Sequence, residues 1–493
     1  MASLLTETLL AAAEDGRFTS AGSDPVRVLQ VGEGNFLRGF VDWMLDGCRK
    51  QGLFPGSVAV VQPRRSGKRK IEKLAAQDGL FTLVIRGLEG GERIERRSVV
   101  SVFSNVLDPY EEWASFLALA DGAELRFVVS NTTEAGLAYR SEPMVPGEPP
   151  ESFPAKMTLL LLRRYETFAG APDKGLIFLP CELLERNGDR LREGVLRHAE
   201  EWGLPEAFQA WVRRHNRFLS TLVDRIVTGY PDAEEAERWF ERWGYRDELL
   251  TTGEPYHLWA IEAEPELDEE LPLRQAGFNV HWTPDLKPFQ QRKVRILNGA
   301  HTLMTPLGLL HGVEHVRELM EHPELGSFVR NTVEAEIIPS LPEPAEAMKA
   351  YAAEVYERYL NPHLRHRLSD IAMNSISKAK ARLLPSMAYY AEKGEPVPAG
   401  LALGFAALLR YYRVERIGDG YEGRSFAGEP YRVADDAELL GRIEQAWSAD
   451  CGEREKVRRL LADETVWGID LSAWKGLAEA VADHLAGWER KEA

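Results

Sequence analysis

The sequence predicts an α/β domain followed by an all-α domain. Three observations carry that expectation. A short apolar strand, a glycine turn, a helix and a second strand follow one another between Val26 and Val61. Further strand-like runs recur as far as Trp282. Beyond Pro288 the strand signals nearly vanish and apolar residues fall at helical spacing. The expected boundaries are an N-terminal tail over 1–24, a dinucleotide-type α/β domain over 25–285 and a helical domain over 286–493.

Each element has its own signal. Residues 1–24 read as a short helix and then a polar linker, Thr19 to Pro25. Val26 to Val31 is a compact apolar run that stops at Gly32, as a buried strand does. Phe40, Val41, Trp43, Met44 and Leu45 follow at helical spacing, and Ser57 to Val61 is the second strand. A parallel crossover needs a connection of this length. Leu80–Arg86 and Glu92–Val100 flank a glycine-rich turn and predict a hairpin. Asp108-Pro109 reads as a helix start, with Asp as N-cap. Leu125–Ser130 and Gly175–Leu179 are further strands. Helix is expected from about Arg190 to Val227, including Asp224-Arg225 as a charged step on a buried face. Strand character returns around Tyr256–Ile261 and Phe278–Trp282. The segments 293–320, 343–360, 374–392, 399–413, 435–448, 453–463 and 471–490 all read as helices.

Composition excludes several function classes. The 493 residues are 44% hydrophobic and 28% charged, the balance of a globular protein with an ample core. Lys plus Arg is 60 and Asp plus Glu is 77, a formal charge of −17. Such a body is repelled by nucleic acid and by anionic lipid, so neither is an expected partner. A small anionic substrate must then meet a local basic pocket. The three cysteines, Cys48, Cys181 and Cys451, are far apart in sequence and suit a reducing cytoplasm. No apolar run approaches ~20 residues, and the N-terminus lacks the basic start of a signal peptide.

Gly32-Glu33-Gly34 between strand and helix has a mechanical reading. The first glycine permits a tight turn, and the second lets the backbone approach a pyrophosphate at the helix N-terminus. The third glycine of the GxGxxG pattern would fall at position 37, which is Leu. A ribose-binding carboxylate is expected after the second strand, yet that strand runs on into Gln62-Pro63-Arg64-Arg65-Ser66-Gly67-Lys68-Arg69. Four cations there tolerate a 2′-phosphate, so the residues leave NAD and NADP both open.

Lys293-Val294-Arg295-Ile296-Leu297-Asn298-Gly299-Ala300-His301 opens the second half. On an α-helix, Lys293, His301 and Asn298 would lie at about 0°, 80° and 140°, on one side. Reduction of a ketone creates an alkoxide that needs a proton, and a lysine of lowered pKa can supply it. A neutral His and an Asn amide can donate hydrogen bonds to the same oxygen.

The runs Val28–Arg38 and Val129–Gly136, together with the Lys-x4-Asn-x2-His block, resemble the long-chain mannitol dehydrogenase family. The resemblance spans nearly the whole chain. It implies a Rossmann-type N-terminal domain, an all-helical C-terminal domain and metal-independent hydride transfer with NAD. Lys293 is then the general acid/base, with Asn298 and His301 polarising the substrate oxygen. The implied cofactor contacts are Gly32, Gly34, Asn35, Phe36, Arg38, Arg64, Asn131 and Thr132. Polyol-acting members resemble one another in a Cys-Asp-Asn strand end whose Asn touches substrate. This chain has Cys181-Glu182-Leu183 there, so sugar-acid members look closer. Asn374–Arg382 resembles the family's substrate-binding helix, with Asn374, Lys378 and Arg382 as candidate substrate residues and Glu134 as a further one.

The residues add a reason of their own. Lys378, Lys380 and Arg382 put three cations in five residues of a −17 chain. Lys378 and Arg382 are four apart and share a helix face, and Arg offers a bidentate fork to a carboxylate. The expected substrate is a keto-uronate, with tagaturonate ahead of its rival fructuronate, the mannonate precursor; mannitol or fructose, a polyol or uncharged ketose, is the more distant rival. A non-catalytic, nucleotide-binding sensor on the same fold would not need Lys293, Asn298 and His301 together. His311-Gly312-Val313-Glu314-His315 matches an inverted zinc-peptidase spacing if both His share one helix face.

Overall fold

The computed structural model describes residues 3–9 and 20–492. It divides into two compact units, one of residues 1–89 and 93–286, the other of 90–92 and 287–493.

The first unit is built on a six-stranded parallel sheet. Its strands are β1 (Val26–Val31), β2 (Ser57–Val61), β3 (Phe103–Leu107), β4 (Phe127–Ser130), β5 (Ile177–Pro180) and β6 (Arg217–Phe218). The order is β3-β2-β1-β4-β5-β6, all parallel, with Val31 paired to Val61 on one side and to Ser130 on the other. This is the doubly wound dinucleotide-binding order, and its switch point lies between β1 and β4. Successive side chains go to opposite faces. Val28, Val58 and Val60 join one core with Phe40, Met44 and Phe127. Leu29, Val31 and Val61 join the other with Met157, Leu161 and Phe178. A sheet covered on both faces needs continuous apolar strands, which is why these runs were legible.

Two further sheets of three or more strands belong to this unit. One runs Val227–Gly229, Thr251–Gly253, Phe81–Glu89, Glu92–Val100 and contains the expected hairpin. The other pairs Thr221–Asp224 antiparallel to Leu258–Glu262, which lies parallel to Val280–Thr283.

Four expectations are corrected. The helix expected through Val227 ends at His215, and Thr221–Asp224 is a strand. Arg225 follows that strand and donates to the carbonyls of Gly39 and Glu254, with its guanidinium over the Trp43 ring. Asp108-Pro109 forms a turn, closed by Tyr110 N–H donating to Asp108 Oδ1, and the helix begins at Trp113. Near the N-terminus, Ser3–Leu4 pairs with Tyr245–Arg246 as a parallel strand, and residues 7–9 make a helical turn. The rest of that expected helix, residues 10–19, lies outside the described residues.

The second unit is mostly helical. Its centre is α1 (Gly299–Leu310), buried on nearly every side, packed on the equally buried α2 (Ala399–Tyr411). The fourth correction lies here. Glu415–Ile417, Gly420–Arg424 and Pro430–Val433 form a small antiparallel sheet in a segment with no apolar alternation to announce it. No helix among the described residues is long and apolar enough to cross a membrane.

Candidate active site

The glycine turn sits at the switch point of the parallel sheet. Gly32 has φ +128, and a Cβ there would lie 2.9 Å from the Asn131 carbonyl oxygen on the neighbouring strand end. Only glycine fits both constraints. Gly34 caps the helix that follows, and a Cβ there would meet nothing within 4 Å. The turn therefore leaves open space in front of the first helical amides, as a pyrophosphate requires. The missing third glycine has an explanation. Leu37 is buried, and the close packing falls to Gly39, where a Cβ would lie 2.9 Å from Val227 Cγ1.

Side chains around the turn are tied to protein. Arg38 is buried; its Nε donates to the Glu33 carbonyl, Nη1 to the Leu249 carbonyl and Nη2 to Asn35 Oδ1. Asn35 Oδ1 also accepts from Thr251 Oγ1, and Phe36 stacks on Phe40 at 5.0 Å. Asn35 and Arg38 thus brace the turn. At the tip of β4, Asn131 Nδ2 donates to the Cys181 carbonyl, while Thr132 donates through N–H and Oγ1 to Glu182 Oε1. Ser130 Oγ donates to Glu182 Oε2. Glu182, which the sequence marked only as a departure from the polyol pattern, is a buried staple between β4 and β5. Thr133 adopts φ +102, a strained backbone at the switch point, and Glu134 follows it on an exposed turn. A cavity of about 420 Å³ opens here, lined by Arg64, Thr132, Thr133 and Gly136.

The basic loop after β2 is half neutralised. Arg65 pairs with Glu151 at 3.1 Å and Lys68 with Glu111 at 2.9 Å. Arg64 is exposed at the cavity and makes no ion pair among the described residues.

In the second unit, Lys293 to Asn298 is a π-helix that runs directly into α1. This corrects the α-helical phase expected for the catalytic block. In a π-helix the hydrogen bond runs from i to i+5, so Asn298 falls about one turn beyond Lys293 rather than ~140° away. His301 is three residues further on the α-helix, on the same face. By this phasing all three fall on one helical face. Lys293 and Asn298 are half-buried, and His301 is 7% exposed. The His301 ring packs against Tyr359 at 4.5 Å and edge-on to His366 at 4.9 Å. Its Nε2 has no hydrogen-bond partner among the described residues. Burial, then the nearby His366, Arg382, Arg358 and Lys378, hold its pKa well below the ordinary value, so the imidazole is neutral.

The substrate helix is short, Ser375–Arg382, capped by exposed Asn374 at φ +54. Arg382 Nη1 donates to Thr302 Oγ1 at 3.1 Å, which ties this helix to α1 one residue past His301. Lys378 Nζ donates to the Ile371 carbonyl, and burial with Arg382 nearby lowers its pKa. The structure thus gathers Lys378 and Arg382 near His301. It adds Tyr359 and buried Arg358 from the end of helix Ala345–Tyr359, and His366 from the loop beyond. The missed signal was the cation-dense run Arg358 to Arg367, which also holds His363, Arg365 and His366. The zinc-like pattern comes apart. His311 ends α1, Gly312 breaks it at φ +76 and His315 caps the next helix, so the two His share no helix face.

Comparison with known proteins agrees with this division. The family described as Mannitol dehydrogenase Rossmann domain matches residues 26–275, and Mannitol dehydrogenase C-terminal domain matches 285–487. An altronate oxidoreductase of Bacillus subtilis (strain 168) is 40% identical over 94% of this chain and 92% of its own length. One of Shigella flexneri is 42% identical, over 94% of both. Among solved structures, a D-sorbitol dehydrogenase in substrate-free form aligns over 99% of both chains with a TM-score of 0.79 at 20% identity. A mannitol 2-dehydrogenase of Pseudomonas fluorescens, solved as a ternary complex with NAD and D-mannitol, covers 99% of this chain and 97% of its own. Its TM-score is 0.67 at 21% identity. These two carry the fold, and the matches over both domains carry the family. The chain belongs to the mannitol dehydrogenase family and is an oxidoreductase of CH–OH groups.

Proposed function

We propose that the protein reduces D-tagaturonate to D-altronate, reversibly, with NADH as donor and without a metal. The observation that carries this reading is the gathering of Arg358, Lys378 and Arg382 around His301 in a chain of net charge −17. An uncharged polyol gives no reason for such a cluster, whereas a sugar acid brings a carboxylate to it. Relatives of 40–42% identity that are named altronate oxidoreductase point the same way. The supply of electrons belongs to a bound nicotinamide. Gly32 and Gly34 would leave its pyrophosphate room and Asn131, Thr132, Phe36 and Arg64 would line its site, while Asn35 and Arg38 hold the turn in shape.

The chain's own part is to hold the ketone and move the proton. Neutral His301 and the Asn298 amide offer hydrogen bonds to the ketone oxygen without surrendering a proton. Lys293, on the same helical face, is the acid that protonates the nascent alkoxide and, in the reverse direction, the base that receives the proton. Lys378 and Arg382, with Asn374, hold the carboxylate end. Two of the four cations after β2 already have carboxylate partners, which supports NAD over NADP. The three free cysteines suit a cytoplasmic enzyme.

The test is Lys293→Ala. Turnover of D-tagaturonate should fall by about 10²-fold or more, the range of a general acid, with NADH binding retained. Undiminished turnover would remove Lys293 from the mechanism.

A further inference from the structure

The tip of β2 lacks the carboxylate that reads the adenosine ribose in sheets of this order. Val61 is followed there by Gln62, Pro63 and Arg64. Three observations converge on this point. Gln62 is fully buried, yet neither its Oε1 nor its Nε2 has a hydrogen-bond partner among the described residues. A buried amide in that state is costly unless a ligand completes it. Glu33, the middle residue of the glycine turn, is only 8% exposed. A Cβ placed on Gly67, in the loop after β2, would lie 3.1 Å from Glu33 Oε1, 2.8 Å from Gln62 Cβ and 3.4 Å from Gln62 Oε1. The Glu33 carboxylate and the Gln62 side chain therefore both lie beside Gly67, one reaching there from the phosphate turn and the other from the strand tip.

We infer that Glu33, from within the glycine turn, replaces the missing strand-tip carboxylate and with Gln62 holds the adenosine ribose, selecting NAD(H) over NADP(H). This rests on the dinucleotide reading above. A carboxylate accepts the ribose 2′-hydroxyl proton in a charge-assisted hydrogen bond. The same carboxylate repels a 2′-phosphate. Cations stand around it: Lys70 Nζ is 4.0 Å from Glu33 Oε1, and Arg38 and Arg64 are also close enough to act on it. With Glu33 ionised these cations are compensated. Without its charge, Arg64 and Lys70 become a phosphate site.

Fluorescence titration with NADH and with NADPH, in the absence of sugar, tests this on the wild type, Glu33→Gln and Gln62→Leu. The wild type should bind NADH more tightly. Glu33→Gln should cut the NADH-to-NADPH affinity ratio by about tenfold or more, the size of one charge-assisted hydrogen bond. Gln62→Leu should weaken NADH binding while raising the Tm of the ligand-free protein, because it removes a partnerless amide. An unchanged ratio in Glu33→Gln, or a wild type that prefers NADPH, overturns the inference and leaves dinucleotide binding standing. A wild type that binds neither nucleotide overturns the dinucleotide reading itself. Should Glu33→Gln fail to fold, Gln62→Leu decides, and undiminished NADH affinity with a raised Tm rejects the inference.

Discussion

In the proposed mechanism, proton chemistry falls to Lys293 and orientation of the carbonyl to His301. His301 is buried beside cations and stays neutral, so it can orient a carbonyl but is a poor proton source. The sequence showed Lys293, Asn298 and His301 because they lie within nine consecutive residues. It did not show Tyr359 or His366, which reach the same ring from a distant helix and loop. Asp42 illustrates the same dependence on burial. Its Oδ2 accepts from Gln30 Nε2 at 3.0 Å, Oδ1 has no partner among the described residues, and burial pushes its pKa up to about 8. The folded protein therefore holds a proton that the unfolded chain releases near pH 3.8. This group favours the fold fully below that pH, and its contribution is lost as pH rises toward 8. Asp42→Asn removes that dependence. Its stability relative to the wild type, measured by urea unfolding, should rise steadily from about pH 4 to pH 8 and then level off; a pH-independent difference would refute this.

At the scale of elements, strands covered on both faces were the most legible. Val26–Val31 and Ser57–Val61 are mostly apolar, broken only by Arg27, Gln30 and Ser57, because both faces of the sheet are covered. Ser220–Val227 misled because a short apolar run fits either a buried helix or a strand, although Thr221, Val223, Ile226 and Val227 are β-branched. The sheet of 415–433 is half exposed and leaves no alternation to read. Least legible was the π-helix of Lys293–Asn298, since nothing in local composition marks a shift from i+4 to i+5 bonding. It nonetheless sets the phase of the catalytic block. Inserting one alanine after Val294 should add a residue to this turn and swing Lys293 by ~100° relative to Asn298 and His301. The variant should keep its helical circular dichroism and its NADH affinity while losing at least about 10²-fold in turnover. Retained activity would show that the π-helical phase does not matter.

For the whole molecule, the sequence placed the change from α/β to helical character near residue 285, and the two compact units part between Leu286 and Lys287. Periodicity made that change readable, because strand spacing gives way to helical spacing within a few residues. Charge was readable only in part. The net −17 argued for local basic sites, and two basic clusters were visible in sequence. Only the fold shows that they differ. Arg65 and Lys68 after β2 are consumed by Glu151 and Glu111, whereas Lys378 and Arg382 are joined by Arg358 and His366 at His301. Charge has thus been withdrawn from the cofactor side and concentrated where a substrate carboxylate would be held. The direct measurement is NADH-dependent turnover of D-tagaturonate and of uncharged D-fructose, run in parallel on the purified enzyme. A carboxylate held by this cluster predicts kcat/KM at least about tenfold higher for D-tagaturonate. D-Fructose turned over equally well or better would contradict it.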